Sequence, residues 1–210
     1  MVSQKLAMLI APGFLIPALA FAFVTSVSPG PVNVISATSG ANFGFSRTVP
    51  HVLGATFGFT SLLLGMGFGL QGVMLRASWL HWVLKGVAAL FLGYFAFVMI
   101  MRRSSTDMTE TLPRPPRLTE GFLLQWMNPK AWIVAATGVG TYTMQGPIYT
   151  SSVLTLSAIF ALVCFPSISI WAAMGHGATK FLVSGNAMRW FNRSMGVLLL
   201  GSVIAVLFFG

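Results

Sequence analysis

Apolar residues along this chain of 210 gather into six blocks, at 6–27, 49–70, 79–101, 119–141, 148–174 and 188–209. Each is close to the roughly 20 residues that a helix needs to cross a hydrocarbon layer about 30 Å thick. The pattern predicts an all-α integral membrane protein with six transmembrane helices. Proline disturbs two of the blocks. The first runs into Ser28-Pro29-Gly30-Pro31 and then a stretch of small residues, 32–45, while the fourth is interrupted by Asn128-Pro129-Lys130. Both are expected to be broken helices, because proline lacks an N–H yet fits the first turn of a new helix.

Polar residues divide the chain as clearly as the apolar ones. Segment 102–118 holds Arg102, Arg103, Asp107, Glu110, Arg114 and Arg117 and the prolines 113, 115 and 116. It reads as a linker between an N-terminal three-helix half, 1–101, and a C-terminal half, 119–210. The halves echo each other: Trp82, Lys85 and Gly93 recur as Trp190, Arg193 and Gly201, each 108 positions later. With three spans per half, the second copy enters the membrane from the opposite side, which makes the repeat an inverted one.

Composition narrows the class. Only 7% of residues are charged, 56% are hydrophobic and the mean hydropathy is +0.83, whereas soluble domains carry about 25% charge. Six spans of about 21 residues leave no room for a soluble catalytic or nucleotide-binding domain. The net charge of +9 has no basic stripe with interleaved aromatics behind it, so nucleic acid is not the expected partner. The lipid bilayer is, and the excess sets orientation. Arg47, Arg102, Arg103, Arg114, Arg117, Lys180, Arg189 and Arg193 fall on one side of a six-span arrangement, and Lys5, Arg76 and Lys85 on the other. The richer side is expected in the cytoplasm, which puts both termini outside. Lys5 before an apolar run superficially looks like a signal peptide, but five further spans make a retained first helix the better reading. Cys164 is the only cysteine, so no intrachain disulfide is available.

Candidate chemistry sits at the two breaks. Ser28 is an accepted N-cap for a helix starting at Pro31, which would present free N–H groups and a positive dipole end to any nearby anion; a plain kink is the alternative reading of the same residues. Asn128 is a good N-cap and Pro129 a good first helical residue, so a second half-helix starts there. Lys130 then lies near the middle of a span, where a cation costs about 3 kcal/mol. It faces either a cavity or, by snorkelling, an interface. No carboxylate lies within the spans to pair with it, since Asp107, Glu110 and Glu120 are in or beside the linker. Such a lysine suits an anion that arrives with the substrate. Any proton carrier would then be a histidine, or protons would ride on the substrate's own amino group while Lys130 changes its charge.

The expected substrate-binding set is Pro29, Gly30, Pro31, Asn33, Asn128, Pro129 and Lys130, with no catalytic residue, no metal and no cofactor. His51, His81 and His176 lie near helix ends and form no i, i+4 ligand pair, which speaks against metal or haem. Ser39 with His176 could suggest an intramembrane protease, but Thr38-Ser39-Gly40 lacks the glycine pattern of a nucleophile elbow. Gly54/Gly58 and Gly65/Gly69 are G-x-x-x-G pairs that mark close helix packing, within the chain or between subunits of a homo-oligomer.

These residues resemble the lysine-exporter (LysE/RhtB) family of amino-acid efflux translocators. The likeness rests on Ser28-Pro29-Gly30-Pro31, on the run Ser39-Gly40-Ala41-Asn42-Phe43-Gly44-Phe45, and on Gln125-Trp126-Met127-Asn128-Pro129-Lys130-Ala131-Trp132. The resemblance implies a bacterial inner-membrane exporter of a small zwitterion, an amino acid or close derivative, driven by the proton gradient. The glycine- and phenylalanine-bearing run is most similar to the branch that exports cysteine and O-acetylserine. Many members carry an acidic residue directly after P-G-P; here Val32 and Asn33 follow, so that position holds no titratable proton. The alternative is a non-transporting membrane-embedded protein, an enzyme or a redox-subunit anchor.

Overall fold

The computed structural model describes residues 11–70, 114–144 and 146–178, with separate helical positions at 86, 90, 93 and 97 and at 190, 191, 193–197, 200, 201 and 204. Among the described residues the regular structure is entirely helical. The elements are α1 (Pro12–Val27), α2 (Pro31–Phe43), α3 (Phe45–Gly65), α4 (Leu118–Trp126), α5 (Pro129–Tyr142) and α6 (Tyr149–Ala178). A π turn, Met66–Leu70, extends α3, and a 3-10 turn, Gly146–Ile148, leads into α6. Segments Phe45–Gly69 and Gly146–Ala178 are each long and apolar enough to cross a membrane, with mean hydropathies of 1.5 and 2.2. The pair α1–α2, bent by 57°, makes a third. The third and sixth apolar blocks lie largely outside the described residues, as do Trp82 and Lys85 of the sequence echo.

Both expected breaks are present, and local chemistry accounts for them. Ser28 has an extended ψ of 143°, the conformation that the ring of a following proline enforces. Pro31 and Pro129 each open a helix at its first position. The two starts differ in their caps. Asn128 caps α5, its side-chain oxygen accepting from Lys130 N at 3.1 Å. Ser28 is not the cap of α2; that position belongs to Gly30, with no side-chain cap. Ser28 instead ends α1 and donates its hydroxyl to the Thr25 carbonyl at 3.0 Å.

The stretch of small residues forms the innermost helix. Residues 31–41 of α2 are all buried, Asn33, Ser36, Thr38 and Ser39 among them. Small side chains allow this, because backbones can then approach closely. A Cβ added at Gly40 would overlap the Ala172 carbonyl of α6, and one at Gly175 of α6 would overlap the Ala37 carbonyl of α2. The pair α3–α4 interlocks the same way. A Cβ at Gly54 would strike the Leu118 carbonyl, one at Gly58 would come within 2.6 Å of the Phe122 carbonyl, and one at Gly121 would strike the His51 carbonyl. Gly54 and Gly58 therefore serve packing within the chain. Gly69 does not share this role: it has φ 144° and open space around it.

Gly44, with φ 86°, turns α2 directly into α3, a backbone angle that other residues rarely adopt. α4 starts where the Glu120 carboxylate accepts from Arg117 N at 2.8 Å and pairs with the Arg114 guanidinium.

Candidate functional site

α1 ends with exposed carbonyls, as every helix does, and side chains from three other helices satisfy them. Asn33 of α2 donates Nδ2 to the carbonyls of Ser26 and Ser28, both at 2.8 Å. Trp171 of α6 donates Nε1 to the Val27 carbonyl at 2.9 Å. Lys130 of α5 completes the set, its Nζ lying 2.9 Å from the Ser28 carbonyl, 2.7 Å from the Ser28 hydroxyl and 3.5 Å from the Pro29 carbonyl. The three ammonium protons thus meet neutral oxygens at the negative end of a helix dipole. They neutralise no part of the full charge.

Beside this contact lies a small, half-open cavity of about 40 Å³, measured by where the centre of a water-sized sphere can go, which is room for a few water molecules. Both helix starts line it: Gly30, Val32 and Asn33 from the first break, Asn128, Lys130 and Ala131 from the second. Thr25 and Ser26 of α1, Gln125 of α4 and Cys164 of α6 add polar groups, while Phe59 and Phe160 form an apolar wall with ring centres 4.9 Å apart. The Cys164 Sγ is 3.2 Å from the Ser26 Oγ. A Cβ at Gly30 would lie 3.3 Å from the Lys130 Cδ and 3.4 Å from its Nζ. A methyl there would press on the lysine side chain, which would have to yield by a few tenths of an ångström.

Of the residues expected at the site, Gly30, Asn33, Asn128 and Lys130 line the cavity. Pro29, Pro31 and Pro129 are not in its wall; they shape the breaks, and Pro29 contributes its carbonyl to the lysine. Both asparagines are committed to the framework. Asn33 holds the end of α1, and Asn128 caps α5 while donating Nδ2 to Gln125 Oε1 at 3.1 Å. Lys130 lies along the cavity wall. Its partners are oxygens of α1, a relationship with no signal in the local sequence. Ser26, Phe59, Phe160 and Cys164 were likewise missed, because an apolar span looks the same whichever way its residues face. The Ser28-Pro29 pair was the one available sign for Ser28.

Two further expectations meet the structure here. His51 is not an amphipathic ring at an open helix end; it is 1% exposed. The Ser39 hydroxyl is bonded to the Thr48 hydroxyl at 2.8 Å, which is packing between neighbouring helices rather than the setting of a nucleophile.

Two interrupted helices meeting at a polar cavity, in a chain of apolar helices, form an arrangement common among membrane transport proteins. The chain belongs to the LysE type translocator family, whose model matches residues 23–209. It is therefore a translocator and not an enzyme. It is similar to the "Cysteine/O-acetylserine efflux protein" of Escherichia coli O1:K1, 23% identical over 159 residues, covering 74% of this chain and 79% of the relative. The protein of the same name from Salmonella paratyphi A is 22% identical over 180 residues, covering 85% and 88%. No solved structure matches significantly.

Proposed function

We propose that this protein exports a small zwitterionic amino acid, or a close derivative, across the bacterial inner membrane, with the substrate carboxylate held at Lys130. The single observation behind this reading is the Lys130 ammonium beside the cavity, hydrogen-bonded to Ser28 but without a carboxylate partner among the described residues. An anion gains most where a full positive charge is poorly screened. The start of α2 adds to the attraction, because no side chain caps it and Gly30, Val32 and Asn33 line the cavity. Binding would transfer the ammonium from the Ser28 oxygens to the carboxylate, and that exchange would free the end of α1 to move. Ser26 and Cys164 would face the substrate's side chain, with Phe59 and Phe160 limiting its length. The names of the relatives suggest cysteine and O-acetylserine as the first compounds to try.

The architecture we propose is six membrane helices in two inverted three-helix halves, with linker 102–118 in the cytoplasm and both termini outside. Packing among the described helices supports a two-fold repeat. α1–α2 corresponds to α4–α5 and α3 to α6, and each broken pair packs against the long helix of the other half: α1 and α2 on α6, α4 and α5 on α3. The coupling we propose is to the proton gradient. The reading is tested by expressing the protein in cells lacking endogenous exporters and measuring which amino acids accumulate in the medium. Faster appearance of cysteine, O-acetylserine or another small neutral amino acid is expected. Unchanged export of every amino acid, from protein verified in the membrane, would refute it.

A further inference from the structure

Two buried ring nitrogens have no hydrogen-bond partner among the described residues. His51 lies on α3 at 1% exposure, and neither Nδ1 nor Nε2 makes a hydrogen bond among the described residues. A buried polar group left in this condition costs on the order of 1–3 kcal/mol, and such exceptions cluster where a group has work other than packing. The surroundings say what that work is. The Val32 carbonyl lies beside the ring without the alignment of a hydrogen bond, and α4 brings Glu120 to the same joint, its neighbour Gly121 packed against the His51 carbonyl. An acceptor and an anion are what a protonated imidazole needs.

The position of the ring also suits a carrier. Val32, Ser36 and Ser39 form one stripe of α2 by helical spacing, and its two ends touch α3: Ser39 bonds to Thr48, and Val32 faces His51. Ser36, between them, is buried with its hydroxyl also unpartnered among the described residues. Val32 in turn lines the cavity. His51 therefore stands one residue behind the cavity wall, at the joint of α2, α3 and α4, with its own carbonyl against Gly121. Among the described residues, the charged and titratable groups around this joint are few. α2 has none, α3 adds the exposed Arg47, and α4 brings Glu120, itself paired with Arg114. Lys130 of α5 and Cys164 of α6 face the cavity itself.

We infer that His51 is the proton-binding site that couples transport to the proton gradient, taking a proton on its free ring nitrogen against the Val32 carbonyl and the Glu120 carboxylate. This rests on the export reading above. One proton binds the lone pair of the neutral ring and later leaves the same ring to water on the opposite side; nothing is oxidised or reduced. The proton and the substrate then act on the two faces of one helix turn, since Val32 borders both the ring and the cavity. Protonation would draw the start of α2 toward α3 and so change the shape of the cavity.

The experiment uses purified full-length protein in proteoliposomes with cysteine and O-acetylserine. It compares substrate exchange at equal pH with accumulation under an imposed gradient of one pH unit. Each coupled proton should give wild type about a tenfold accumulation ratio. H51Q should keep exchange near the wild-type rate while its ratio falls to about one. A wild-type ratio retained by H51Q overturns the inference, as does wild-type exchange with no response to the gradient. Absence of exchange in wild type would instead count against the export reading. The ring is then judged without substrate, by ¹⁵N NMR of labelled protein with the His51 signal assigned by difference. Titration of that signal at any pH where the protein stays folded supports the assignment, and a signal that never titrates overturns it. Should H51Q fail to insert, E120Q decides: loss of the carboxylate should move the midpoint to lower pH, and an unmoved midpoint sinks the proposal.

Discussion

Lys130 reaches Ser28 across 102 positions of sequence, its Nζ 2.9 Å from the Ser28 carbonyl and 2.7 Å from the hydroxyl. The contact ties the start of α5 to the end of α1, and so joins the two breaks of the fold through one ammonium group. Because its acceptors are neutral, the tie can be exchanged for a carboxylate at a gain. In the proposed reading Lys130 is both a fastening between α1 and α5 and the receptor for the substrate carboxylate.

Removal of the lysine charge should therefore disable export while leaving the protein inserted. Lys130→Met is expected to slow export by roughly 100-fold, the equivalent of losing about 3 kcal/mol of charge-assisted bonding. Lys130→Arg should recover part of the rate, since a planar fork replaces a point charge against the same oxygens. Export assays with membrane-fraction quantification check both. Wild-type export by Lys130→Met would remove Lys130 from the site.

Gly30 should tolerate one carbon and no more. Its φ of −169° is ordinary extended backbone, so the constraint is space alone. The added methyl of Gly30→Ala would meet the Lys130 Cδ at 3.3 Å, and a flexible side chain can yield by that amount. A mild loss of export is expected there, and a severe one for Gly30→Leu. Equal rates for both variants would contradict the close approach.

At the interlocked glycines the obstacle is backbone, which cannot move aside. Gly121→Ala and Gly175→Ala would each drive a methyl into a carbonyl of the facing helix, those of His51 and Ala37. Each should cost on the order of 1–3 kcal/mol through overpacking. Gly140→Ala, at a position with open space around it, serves as the control and should be neutral. Thermal unfolding in detergent is the measurement, and a Gly121→Ala protein as stable as the control would contradict this packing.

Orientation can be read with an impermeant thiol reagent in a Cys164→Ala background. Thr119 and Thr150 are both exposed, at the first turns of α4 and α6. Thr119→Cys should be protected in intact cells and labelled after lysis, whereas Thr150→Cys should be labelled from outside. The reverse pattern would invert the proposed topology.

The sequence by itself determined what depends on length, composition and proline chemistry. Blocks of about 20 apolar residues need a membrane, and they are helical because a backbone in lipid must satisfy its own hydrogen bonds. Pro31 and Pro129 mark helix starts wherever they stand, as fixed φ and a missing N–H act within one turn. Lys130 was legible for a similar reason, since a cation within an apolar span demands a polar setting. Tertiary structure decided the rest. Whether Ser28 caps α2 or ends α1, and whether His51 sits at a surface or within a joint, depends on which distant segments approach. The same holds for Phe160 and Cys164, whose place in the cavity wall follows from the rotation of α6 about its axis. α6 is apolar on nearly every side, so no periodicity in its sequence signals that rotation. Gly40 and Gly175 decide it, by allowing α2 and α6 to meet backbone to backbone.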